Sequence, residues 1–266
     1  MKTFCLIQLF VLNALSVFSQ GISDLTLDER FECQVKSLDE FLARLNGDES
    51  YPGINVDERS RINNLAMLMD FQMPHKNEPA FKEKSMKFFR AVETFPRPLR
   101  DTDSLLFAVM TCCVKHLGTE KNITLILQKE TDKQNRSRWA LVGADGLQQC
   151  GMIDTTKVRG ISPVEHEIHF LEMLDVFKFH AKDAMAFRKS DTHIDQLSVF
   201  LTLLQMGQVE LLSVDKLTYH VLAIPGFIFT IDEYVRTNYN SGWLISSFSE
   251  MDNERKHVYI QTLLGK

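Results

Sequence analysis

Two residues in the C-terminal quarter carry side chains suited to acid–base chemistry, His220 and Asp232. The run from Leu217 to Ile224 alternates, so His220 and Leu222 face one way while Tyr219 and Val221 face the other. Beyond Pro225-Gly226 come Asp232, Tyr234 and Arg236, hydrogen-bonding groups interleaved with apolar ones. A histidine beside a carboxylate can serve as a general base. Tyr234, Arg236 and, on the strand that follows, Trp243 are the candidate binding residues. No second catalytic signature accompanies them, so the balance favours paired structural groups or a solvated sheet face.

Other chemistry-bearing motifs fall away on spacing. His166-Glu167-Ile168-His169 lacks the His-Glu-x-x-His pattern that places two imidazoles one turn apart. Glu165 and Glu172 flank His169 at the spacing of ion pairs, and a third ligand is not evident, so no metal is assigned. Gly143-Ala144-Asp145-Gly146 has its second glycine misplaced for a dinucleotide fingerprint and reads as a turn. Neither a Gly-x-Ser-x-Gly elbow nor a phosphate loop occurs, and no cofactor is expected. The enzyme question stays open, leaning towards a non-enzyme.

These residues need elements to position them. Ser37-Leu38-Asp39-Glu40 is a capping box, followed by Leu38, Phe41, Leu42 and Leu45 at helical spacing. A second box at Asn55-Val56-Asp57-Glu58 opens a helix with Ile62, Leu65, Ala66 and Met69. Pro79 starts a third, whose buried stripe is Phe81, Ser85, Phe88, Phe89 and Val92. The period then changes. Residues 105–114, 123–129 and 138–142 read as three strands of an antiparallel meander. Ser162-Pro163-Val164-Glu165 predicts a helix start, and residues 192–205 another helix, with Ile194, Leu197, Leu201 and Leu204 facing inwards. Strands return at 209–214, 217–224, 227–235 and 243–248, with a turn at Asp215-Lys216 and a bend at Pro225-Gly226. The expected fold is α+β, with N-terminal helices packed on a curved antiparallel sheet.

The first nineteen residues address the chain. Met1-Lys2 is a minimal basic start, the run to Phe18 is almost entirely apolar, and Val17-Phe18-Ser19 fits a cleavage site. Gln8 and Asn13 interrupt the run, which argues against a permanent span. Cys5 lies inside it rather than at the cleavage point, which disfavours a lipid anchor. Removal of the first 19 of 266 residues leaves 247, read as a single α+β domain 20–266, exported to the periplasm or outside the cell. A composition 44% apolar and 24% charged is that of an ordinary globular chain. The net charge of −5 and the scattered basic residues argue against nucleic acid as a partner. Cys33, Cys112, Cys113 and Cys150 remain after cleavage. They are too few for a disulfide scaffold and read mainly as buried free thiols, although export permits a bond.

Three stretches carry a resemblance. They are residues 37–47 (SLDEFLARLNG), Ile161 to Glu167 with Phe170, and 224–230 (IPGFIFT) leading to 240–245 (NSGWLI). On them the chain resembles a group of uncharacterised exported proteins of Bacteroides-like bacteria, a likeness that implies a lineage and no activity. The order of helices before a curved sheet is also similar to the cone of the nuclear-transport-factor-2-like superfamily, from which the extra strands and the insertion near 162–178 depart. That fold hosts enzymes and non-enzymes alike. The expected function is therefore a non-catalytic binding or interaction protein of the cell envelope, its partner an envelope component, a glycan or a protein. The alternatives are a hydrolase- or isomerase-like pocket enzyme using His220 and Asp232, and a structural subunit of a surface assembly.

Overall fold

A computed structural model describes residues 31–49, 51, 60–74, 78–131, 133–134, 136–153, 187–189, 192–237 and 240–265. The expected signal peptide, capping box at 55–58, helix start at 162–165 and the His166/His169 pair lie outside the described residues. The chain is α+β. Helices α1 (Leu38–Asn46), α2 (Ser60–Leu68) and α3 (Pro79–Glu93) precede strands β1 (Leu106–His116), β2 (Thr119–Thr131) and β3 (Ser137–Asp145). Helix α4 (Gln196–Gln205), strands β4 (Val209–Val221), β5 (Phe227–Tyr234) and β6 (Gly242–Glu250), and helix α5 (Asn253–Leu263) follow. The six strands form one antiparallel sheet in the order β3-β2-β1-β4-β5-β6, so the meander expected for the first three is present.

Two compact units can be distinguished. The first comprises Met1–Met110, Ile126–Leu141 and Lys216–Ile260. Its helix α1 starts where the capping box places it: the Ser37 hydroxyl accepts the Glu40 N–H at 3.2 Å, and the Glu40 carboxylate accepts the Lys36 N–H at 2.7 Å. Pro79 occupies the first turn of α3, and Ser85, Phe88, Phe89 and Val92 form its buried face. Phe88 lies at the centre of this core. Its ring stacks on Phe248 at 4.8 Å and meets Phe227 and Phe229 at 5.4 and 5.6 Å.

The outer edge of β6 is covered at its start by two parallel bridges, Val35 to Gly242 and Met69 to Ile245. A Cβ on Gly242 would lie 2.0 Å from the Val35 carbonyl oxygen, so only glycine lets the backbones approach this closely. Buried Asn240 clamps the same edge. Its amide donates to the Met67 and Met69 carbonyls at 2.9 and 2.6 Å and accepts the Phe71 N–H at 3.3 Å.

Pro225-Gly226 does more than bend a strand. The Phe227 N–H donates to the Ile224 carbonyl at 3.2 Å, and Gly226 has φ +73°, the geometry of a type II turn. The chain reverses there, and β4 pairs with β5 antiparallel from Val221↔Phe229 to Thr218↔Asp232. Buried Lys256 on α5 secures the approach to the turn by donating to the Leu222 and Ile224 carbonyls at 2.6 and 2.5 Å. Asp215-Lys216, expected to be a turn, lies inside the continuous strand β4, because a neighbouring strand supplies ladder bonds that local sequence does not reveal.

The second unit comprises Thr111–Leu125, Val142–Asp215 and Gln261–Lys266. Asp195 caps α4 by accepting the Leu197 N–H at 3.2 Å. Gln196 joins α4 to the end of β3, accepting the Leu147 N–H and donating to Asp145, both at 3.1 Å. The buried face of α4 differs from the expected one. Phe200 is 2% exposed, whereas Leu201 and Leu204 are 43% and 41% exposed. Apolar residues surround this helix (QLSVFLTLLQ), so periodicity does not select a face, and the aromatic ring goes inside. Leu201→Ala is therefore expected to change stability by less than about 1 kcal/mol, rather than the cost of a core truncation. Urea unfolding checks this, and a larger loss would return Leu201 to the core.

Candidate functional site

The β4–β5 register builds one polar sheet face in the first unit. His220 lies opposite Thr230 and Thr218 opposite Asp232, with Tyr234 two residues further along β5. Tyr219, Val221, Phe229 and Ile231 point the other way. His220 and Asp232 thus share a face, as alternation predicts, but as diagonal neighbours. Each has its own partner. The Asp232 carboxylate accepts the Thr218 hydroxyl at 2.5 Å and pairs with the Lys216 ammonium at 3.0 Å. His220 Nδ1 lies 2.6 Å from the Tyr259 hydroxyl on α5.

The electrostatics follow from these contacts. Burial pushes the His220 imidazole down to about 4, with Lys216 acting in the same direction and Asp232 opposing it. Burial works against the Asp232 charge, yet hydrogen bonds from Thr218, Ser246 and Lys216 hold its carboxyl below the ordinary range. Burial raises Tyr259. At neutral pH the site therefore holds a neutral imidazole bonded to a phenol, beside an ionised carboxylate bonded to a lysine. A general base works best when poised near the operating pH, and His220 is displaced from it.

The other expected residues separate. Tyr234 shares the polar face, and its phenol is pushed up to about 12 by burial and then by the Asp70 and Asp232 charges. The Arg236 guanidinium stacks 4.0 Å over the Tyr234 ring and spends both terminal nitrogens on buried Asp70. Trp243 pairs with Glu233 and lies on the opposite, core-facing side, packed 5.0 Å from Tyr219, whose ring in turn meets Trp139 at 6.0 Å. Neither Tyr259 nor Asp70 was found from sequence, because both join the site from distant segments.

Three clefts lie elsewhere. In the first unit, one of about 360 Å³ beside β6 is lined by Met73, Pro74, Phe81, Lys84 and Ser246. One of about 330 Å³ has Ile62, Met86 and Phe89 as its apolar lining and Glu83, Lys87 and Arg90 among its charged residues. In the second unit, one of about 230 Å³ is lined by Gln148, Arg188, Thr192, His193 and Gln196. His220 and Asp232 line none of the three. Among the described residues, no group of three or more His, Cys, Asp or Glu could hold a metal ion, and no helix is long and apolar enough to cross a membrane. Cys113 and Cys150 are free thiols, and Cys112 is buried.

The most unusual surface belongs to the second unit. Within fourteen residues, Leu201, Leu204, Met206, Leu211, Leu212 and Val214 are each between 41% and 63% exposed. Single exposed leucines are ordinary, whereas six large apolar residues exposed within so short a segment are not. No family model, curated protein or solved structure matches the chain.

Proposed function

We propose that the chain is an exported, non-catalytic binding or interaction protein of the cell envelope, released as a soluble protein by cleavage after Ser19. The observation that carries this reading is the exposed apolar stretch of α4 and β4. The polar face supports it, since His220 and Asp232 are bonded to Tyr259, Thr218 and Lys216 rather than to each other. A pocket enzyme using that pair has less support for the same reason. A structural subunit of a surface assembly is the second reading, favoured by the apolar strand residues of β4. The proposal includes a cone similar to that of nuclear-transport-factor-2-like proteins, supported by helices α1–α3 preceding the sheet.

The test places a photocrosslinking amino acid at Met206, and as a control at exposed Lys133, in the native cell. The expected result is a mature chain beginning at Gln20 in the exported fraction, with discrete adducts from position 206 and none from 133. Met1 retained in the cytoplasm, or equal labelling from both positions, overturns the reading.

A further inference from the structure

Strand β4 is unusually exposed for a strand within a sheet. It has thirteen residues, with β1 on one side and β5 on the other. The β5 pairing spans only Thr218–Val221. Carrying that register on by two residues brings Tyr234, the last residue of β5, beside Lys216. Among the described residues, Val209–Asp215 therefore has no strand on that side. All its residues after Val209 are exposed, with Leu212 and Val214 on one face and Leu211 on the other. A row of backbone groups without a strand partner, flanked by apolar side chains, is a template for strand addition, and natural edges usually block it with charged side chains, above all lysine, with proline or with a bulge; here the charges are Glu210 and Asp215, near the two ends. Val209–Asp215 contains no proline or lysine.

We infer that this edge pairs with the same edge of a second copy, antiparallel across a two-fold axis at Leu212. This rests on the interaction reading above and names its partner. A seven-residue edge centred on Leu212 sets Val209 opposite Asp215, Glu210 opposite Val214, Leu211 opposite Ser213 and Leu212 opposite its own mate. Each carboxylate faces a valine, whereas parallel in-register pairing would set Glu210 against Glu210 and Asp215 against Asp215, which is destabilising. An axis moved towards Ser213 would carry the partner strand past Asp215 to the place held by the end of β5. The contact is isologous and consumes the edge, so it closes at two chains instead of growing into a fibre. Both copies are net negative, −5 for the full sequence and one unit more once Lys2 leaves with residues 1–19, so their long-range repulsion weakens as salt is added.

The test measures the mass of the full mature chain by light scattering from low micromolar to several hundred micromolar, at low and high salt. The expected result is a monomer that doubles in mass with concentration, more readily at high salt. Leu212→Lys is expected to stay monomeric with an unchanged melting temperature. Leu212→Cys is expected to form a disulfide-linked dimer under mild oxidation that Leu204→Cys does not. Hydrogen exchange on the wild-type chain provides a readout independent of whether a variant folds: amides of 209–215 are expected to gain protection with concentration. A wild type that stays monomeric, protection that ignores concentration, or a dimer unaffected by Leu212→Lys overturns the pairing. If the chain is monomeric yet position 206 still yields adducts with another protein, only the pairing fails; if it is monomeric and yields none, the interaction reading fails with it.

Discussion

Phe88→Ala is expected to cost about 3–5 kcal/mol, the range for removing a buried aromatic ring. Phe88 is fully buried on α3, stacked on Phe248 and touching Phe227, Phe229 and Phe89. Its neighbours come from β5, β6 and its own helix, so no single element can move in to fill the void without breaking contacts to the others. The loss includes the transfer of the ring to water, the cavity left behind and the ring–ring geometry. Phe31→Ala gives the contrast. That ring is 61% exposed, and its truncation should fall within about 0.5 kcal/mol of the wild type. Urea unfolding with an unchanged slope measures both. A loss below about 1 kcal/mol for Phe88→Ala would mean that α3 does not seat this ring against β5 and β6.

How far such features can be read from sequence depends on where their causes lie. The start of α1 was legible because Ser37 and Glu40 act within four residues, and the α3 stripe because an amphipathic helix with Pro79 at its start fixes its own inner face. The faces of β4 and β5 were legible through alternation, which is why His220 and Asp232 were expected to share a side. What alternation cannot supply is the partner across the chain. His220 was read towards Asp232, twelve residues away, yet its ring bonds Tyr259, thirty-nine residues away on a helix that local pattern did not announce. Asp215-Lys216 has turn-like residues, but the sheet holds it extended. Around α4 the leucines were too evenly spread for periodicity to separate inside from outside. In each case the deciding contact is tertiary.

Lowering the pH is expected to weaken the fold through His220. In the unfolded chain its imidazole takes up a proton near the ordinary value of 6.5, and in the folded chain only near 4. Between those values the unfolded state holds the extra proton, so acid draws the equilibrium towards it. The stabilisation from keeping His220 neutral is whole above the unfolded value and is lost as the pH falls towards the folded one. The full span corresponds to roughly 3 kcal/mol. Asp232 contributes at a different point. Its carboxyl is held below the ordinary range, so the stability it lends persists above the unfolded carboxylate value and disappears only in stronger acid. Replacing His220 with glutamine keeps a hydrogen-bonding side chain and removes the titration, while leaving every other histidine in place. Urea midpoints of the wild type and His220→Gln should therefore diverge as the pH is lowered from neutrality, with the wild type losing the larger part. Every other histidine is common to both chains, so its contribution cancels from the difference. Parallel profiles would mean that the imidazole is open to water, and with it the space between β4 and α5 that the Tyr259 hydroxyl closes.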